Sequence, residues 1–96
     1  MKASRSYRED FARSLRRPKE AARYLNAALE DGDRKVFLLA LRDVALAWGG
    51  MTKLARQAKL NRENLYRMLS QNGNPGLVGL GGLLAAMGLR LAIQTK

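Results

Sequence analysis

"LARQAKLNRENLYRML", Leu54 to Leu69, is the stretch whose reading decides the fold. It reads as a helix, a short break and a second helix, Thr52 to Ala58 and then Arg62 to Leu69. Leu54, Ala58, Leu60, Leu65 and Leu69 fall where two helices set at a steep angle turn inward. Ala55 is small enough to lie at their crossing. Asn61 suits the cap of the second helix, because its side-chain oxygen can accept from a free backbone N–H. That leaves Arg62, Glu63, Asn64, Tyr66 and Arg67 on the outer side. The pattern is that of a helix-turn-helix over residues 52–69.

In such a unit the first turns of the second helix face base edges in the major groove. Arg can donate two bonds to guanine, Asn can pair with adenine, and Glu can accept from cytosine. Thr52, with the free N–H groups beside it, can hold phosphate. Lys53 and Arg56 sit on or beside the same face. A hairpin of two helices with solvated charges would use many of the same residues. Glu63 equally suits the positive end of a helix dipole, and Lys59 stands where the turn often has glycine.

The charge is uneven along the 96 residues. Lys and Arg outnumber Asp and Glu 18 to 8, a net charge of +10. Residues 1–17 hold six Lys/Arg against Glu9 and Asp10; residues 18–50 are balanced, five against five. Residues 51–96 hold seven Lys/Arg against Glu63 alone. The paired helices thus lie in a basic half, and a polyanion such as double-stranded operator DNA is the expected partner.

Composition argues against most enzyme chemistry. The chain has no Cys and no His, hence no disulfide, no thiolate metal site and no imidazole base. No cofactor, no metal and no catalysis are expected. A small basic ribonuclease would need a strand-rich sheet, for which the sequence has little material. "MKASRSYRED" at the start is polar and unlike a secretory signal. The longest apolar run, Gly76 to Ile93, is interrupted by Arg90 and weakened by glycines, so it reads as a buried helix plus a strand rather than a membrane span. A membrane-surface role for this run is the weaker reading. A cytoplasmic protein is the expectation.

The rest of the chain reads as helices too. Ser6 and Glu9 have capping-box spacing, which would open a helix from Tyr7 to Arg16 with Phe11 and Leu15 on one face. Pro18 suits the first position of a second helix running to Glu30, with Ala21, Leu25, Ala28 and Leu29 on a stripe, Tyr24 beside it and Gly32 as its stop. Asp33 caps a third, Arg34 to Trp48, where Val36, Phe37, Ala40, Leu41, Val44, Ala45 and Trp48 recur at helical spacing. "SQNGNPG" is a turn-rich loop, and Leu77 to Met87 a last helix closed by Gly88. The tail "LRLAIQT" alternates Leu89, Leu91 and Ile93 with Arg90, Ala92 and Gln94, a strand pattern. A lone strand is marginal in water, so Leu89, Leu91 and Ile93 are expected to form the interface of a homodimer. The expected organisation is all-α: a basic helical arm over residues 1–17, and a DNA-binding domain over 18–96 that ends in a helix and a short strand.

On "YLNAALEDGD" and "NRENLYRMLS", within a match over roughly residues 18–75 and 87–91, the chain resembles the addiction-module antidote proteins. These are small bacterial and prophage regulators, the antitoxin partners of RelE/ParE-like toxins. The resemblance implies a lambda-repressor-like fold, a cognate toxin, autorepression, and DNA contacts at Thr52, Asn61, Arg62, Glu63, Asn64 and Arg67. Two departures from the family pattern stand out. Arg17 stands where similar chains carry Asp, and "GLVGLGGLLAA" replaces a more polar helix. A stand-alone prophage regulator without a toxin is the alternative function.

Overall fold

The computed structural model describes residues 2–96, with side chains from Tyr7 onward. It contains six helices in chain order: α1 (Lys2–Ser14), α2 (Pro18–Asp31), α3 (Arg34–Trp48), α4 (Met51–Gln57), α5 (Arg62–Met68) and α6 (Leu77–Ala86). No strand occurs among the described residues.

Local chemistry explains most boundaries. Pro18 starts α2, where its missing N–H costs nothing. Arg17 caps that helix with backbone alone, offering no side-chain acceptor. Gly32, at φ 83°, ends α2 by donating its N–H to the Leu29 carbonyl at 3.1 Å. The Asp33 side chain then accepts from the Lys35 N–H at 2.9 Å and opens α3. Only two residues separate α2 from α3, so the pair closes as a hairpin, and their facing stripes form the centre of the core. Leu41 and Ala45 have no exposed surface, nor do Leu54, Leu65, Leu69 and Leu83. Each fully buried leucine contributes about 1.5–3 kcal/mol of transfer free energy.

α1 packs across α3. Leu15 is buried, and Phe11 meets Tyr24 edge-on, ring centroids 5.2 Å apart. Arg16 Nε donates to the Ala47 carbonyl at 3.1 Å. Tyr24 in turn donates its hydroxyl to Asp43 Oδ2 at 2.7 Å, which ties α2 to α3. Burial, that hydrogen bond and the Asp43 charge push the Tyr24 hydroxyl up to about 12.

Several expectations need correction. The box of Ser6 and Glu9 does not open α1: the helix already runs at Lys2, so Ser6 lies inside it, and its side chain is outside the described residues. Leu29 and Val36 lie on exposed edges of their helices, while Leu38 is buried. Leu38 shares a small cavity with Gln71, in the segment that returns after α5, a neighbour that periodicity does not reveal. The strand expected at 89–95 is not formed. Its groups find no partner strand among the described residues, and residues 89–96 run without regular structure. Of the glycines of α6 only Gly79 faces a neighbouring helix, where a Cβ would touch Met68 of α5 at 3.4 Å; one at Gly81 or Gly82 would meet nothing within 4 Å.

Candidate nucleic-acid interface

α4 and α5 are short, seven residues each, and their geometry is set by what joins them. Gly50, at φ 92°, turns the chain out of α3 into α4, a conformation that side chains rarely adopt. After α4 the chain closes in a Schellman arrangement. The Leu60 N–H bonds the Ala55 carbonyl at 2.8 Å, and the Lys59 N–H bonds Arg56 at 3.2 Å. Lys59 takes the left-handed position at φ 57°, the only non-glycine among the described residues with positive φ. Asn61 then accepts from the Glu63 N–H at 2.7 Å, as its cap role required.

The inward and outward faces separate as expected. Leu54, Leu65 and Leu69 are wholly buried and Ala55 nearly so; Ala58 and Leu60 are half-buried. Thr52, Lys53 and Arg56 on α4 are all exposed, with Asn61, Arg62, Glu63, Asn64, Tyr66 and Arg67 at and along α5. The structure therefore brings all nine candidate residues onto the surface of one two-helix unit.

Several of these side chains are already oriented. Arg67 Nη1 donates to Asn64 Oδ1 at 3.2 Å. The Arg62 guanidinium lies 5.5 Å from the Tyr66 ring centroid, and Lys53 Nζ lies 5.0 Å from that of Trp48, both as cation–π contacts. Such contacts orient the cations against a ring without neutralising them. The two ion pairs among the described residues, Arg13–Asp10 and Arg23–Glu20, lie on other helices. Lys53, Arg56, Lys59, Arg62 and Arg67 thus face solvent unpaired, with Glu63 the one carboxylate in the unit.

The tail residues are placed less uniformly. Leu89 is half-buried against the chain's own core, its N–H bonded to the Leu84 carbonyl at 2.8 Å. Leu91 and Ile93 are exposed, Ile93 fully. Leu91 borders a shallow apolar groove with Leu25, Leu29, Phe37 and Leu84. Among the described residues no helix is long and apolar enough to cross a membrane, and no group of three or more potential metal ligands gathers.

Arg42 carries no mark of a functional role in the sequence. It read only as one charge of the balanced middle segment, yet its guanidinium donates to the Leu69 carbonyl at the end of α5. A cation set in a row of core residues on α3 was the only signal that could have found it.

Comparison with known proteins places the chain in a family. A family model described as "probable addiction module antidote protein" matches residues 6–95. A Haemophilus influenzae protein, described only as uncharacterized, is 35% identical over 85 residues, covering 88% of this chain and 87% of its own. No solved structure matches. The chain belongs to the addiction-module antidote family.

Proposed function

We propose that this chain is a DNA-binding antitoxin. In this reading α4 and α5 are a lambda-repressor-like helix-turn-helix, with α5 as the recognition helix. The protein neutralises a cognate RelE/ParE-like toxin and represses its own operon. The observation that carries the reading is the exposed, unpaired basic face of α4–α5, with the Asn61-capped start of α5 at its centre. Membership of the antidote family supports the antitoxin half.

One such unit reads a half-site, so useful specificity needs two of them about 34 Å apart. A homodimer supplies that. Leu91 and Ile93 offer exposed apolar surface, and the tail's free backbone groups offer strand pairing to a second copy. Leu89, beside them, contributes less because it already packs at home. Residues 1–17 supply a basic helix that packs on the domain at 18–96 through Leu15 and Phe11. A cytoplasmic, non-catalytic prophage regulator completes the reading.

The test is co-expression with the product of the adjacent gene, followed by sedimentation with duplex DNA from upstream of the chain's own gene. The expected result is a stable complex with that product and a dimer on the duplex. Failure to co-purify with the neighbour overturns the antitoxin half. A monomer at concentrations that bind the duplex tightly overturns the dimer.

A further inference from the structure

We propose that Arg42 is a positioning residue that aims α5. The guanidinium is held against the Leu69 carbonyl, so the C-terminal end of the proposed recognition helix is clamped to α3. This rests on reading α5 as the DNA-reading element.

Three features of the fold point the same way. Leu69, the cap residue at the end of α5, has no exposed surface, so water cannot replace a lost partner for its carbonyl. Arg42 supplies that partner, and a cation there also meets the negative end of the helix dipole. Next, the chain leaving α5 folds back tightly beneath the helix end. Gly73 is buried, and a Cβ on it would lie 2.3 Å from the Met68 carbonyl oxygen and 2.8 Å from that of Arg67. Finally, α5 is only two turns long and packs chiefly on α4. Its other end hangs from the Lys59 turn, where a non-glycine holds a left-handed conformation. Among the described residues, Arg42 makes the side-chain hydrogen bond that joins the end of α5 to α3.

The consequence concerns specificity rather than affinity. Base-edge contacts need placement to within about 0.5 Å. Phosphate contacts made by long Lys and Arg side chains tolerate more. Arg42 borders a cavity with Lys35, Leu39 and Gln71 that no residue of α5 lines, so its role in the proposal is to hold the helix rather than to add a phosphate contact. Releasing it should blur base reading and leave the electrostatic attraction intact.

The experiment uses the full chain with Arg42→Met and Arg42→Lys. Two duplexes are compared: the one upstream of the chain's own gene, and a scrambled duplex of the same length. For Arg42→Met the affinity ratio between them should fall roughly 5- to 150-fold, the range of one lost base contact. The dependence on salt should keep the wild-type slope. Amide exchange at Leu69, Ser70 and Gly73 should quicken while Leu41 and Val44 keep their protection. Arg42→Lys, which keeps the charge but lacks the forked guanidinium, should fall between the two.

An unchanged ratio together with unchanged exchange overturns the proposal. So does a salt slope lower by about one unit, which would make Arg42 a phosphate contact. If Arg42→Met does not fold, Arg42→Lys and Arg42→Gln read the same quantities, and wild-type ratios with wild-type exchange in both overturn it. Failure of the recognition-helix reading looks different: the wild type would bind both duplexes alike. Amide exchange at the end of α5 then decides the clamp by itself.

Discussion

Lys59 and Gly88 hold equivalent positions in two copies of one helix ending. After α4 the Lys59 N–H bonds Arg56 and the Leu60 N–H bonds Ala55; after α6 the Gly88 N–H bonds Ala85 and the Leu89 N–H bonds Leu84. The backbone is left-handed at both, φ 57° at Lys59 and 79° at Gly88. A side chain in that conformation costs about 1–2 kcal/mol, while glycine costs about 0.5–1 kcal/mol in lost chain freedom. Lys59→Gly should therefore raise stability by up to about 1 kcal/mol. Gly88→Ala should lower it by a similar amount, since its Cβ would meet only Pro18 Cγ at an ordinary 3.8 Å. Thermal melts of the two variants check this; a lower melting temperature for Lys59→Gly would show that the lysine stabilises the turn in some other way.

Arg17 leaves the first N–H groups of α2 without a side-chain acceptor and places a positive charge at the positive end of the helix dipole. Arg17→Asp reverses both. A good cap is worth about 0.5–2 kcal/mol and the dipole term about 0.3–1 kcal/mol. The variant should melt higher than wild type, and the gain should shrink at high salt, where only the dipole term is screened.

The core ranks its own substitutions. Leu41 is wholly buried, and Leu41→Ala should cost about 2–5 kcal/mol. Phe37 is half-buried beside the groove that holds Leu91, so Phe37→Ala should cost less than the about 3–5 kcal/mol of a fully buried phenylalanine. Urea unfolding of both variants measures the order. A larger loss for Phe37→Ala would mean that its exposed side is covered in solution, as by a second copy.

Tyr24 should make the protein sensitive to alkali. Its folded hydroxyl is pushed up to about 12, so the folded chain keeps a proton that the unfolded chain gives up near 10. The stabilisation is complete below pH 10 and is lost as pH rises from about 10 to 12. Tyr24→Phe should be less stable near neutrality and lose less on going from pH 9 to 11. Equal losses in both proteins would assign the alkaline transition to other groups.

On the outer face, Arg62 and Glu63 separate phosphate holding from base reading. If Arg62 holds phosphate, Arg62→Ala should weaken all duplexes alike and lower the salt slope by about one unit. If it reads a base, the loss should be about 1–3 kcal/mol on the preferred duplex alone. Glu63→Gln removes the one negative charge of the unit and should tighten non-specific binding. Titration of preferred and scrambled duplexes at several salt concentrations distinguishes these results, and no effect from either substitution would remove α5 from the interface.

The helices were legible because their signals are local. Pro18, Gly32, Asp33 and Asn61 act on backbone groups within a few residues, and each does so in the structure. The stripe that places Leu25, Leu41, Leu54, Leu65 and Leu69 inside is likewise a matter of helical period, and the outer face of α5 follows as its complement. Family membership was legible for the same reason, since it rests on contiguous stretches.

What remained hidden depends on partners distant in sequence. Alternation in Leu89 to Thr95 describes a strand only if another strand lies beside it, and among the described residues none does. Whether Leu29, Val36 or Leu38 is covered depends on which segment passes over α2 and α3. Arg42 and Gly73 carry no local mark of their roles. The first acquires one when the carbonyl of Leu69 arrives from 27 residues away, the second when its backbone comes up against the end of α5. Sequence by itself determined the helices from α2 onward, the stops and caps at Gly32, Asp33 and Asn61, and most of the apolar stripes, because those arise from neighbours along the chain. Tertiary structure alone decided how α5 is held and what the tail lacks, because burial and hydrogen-bond satisfaction belong to groups that meet only when the chain is folded.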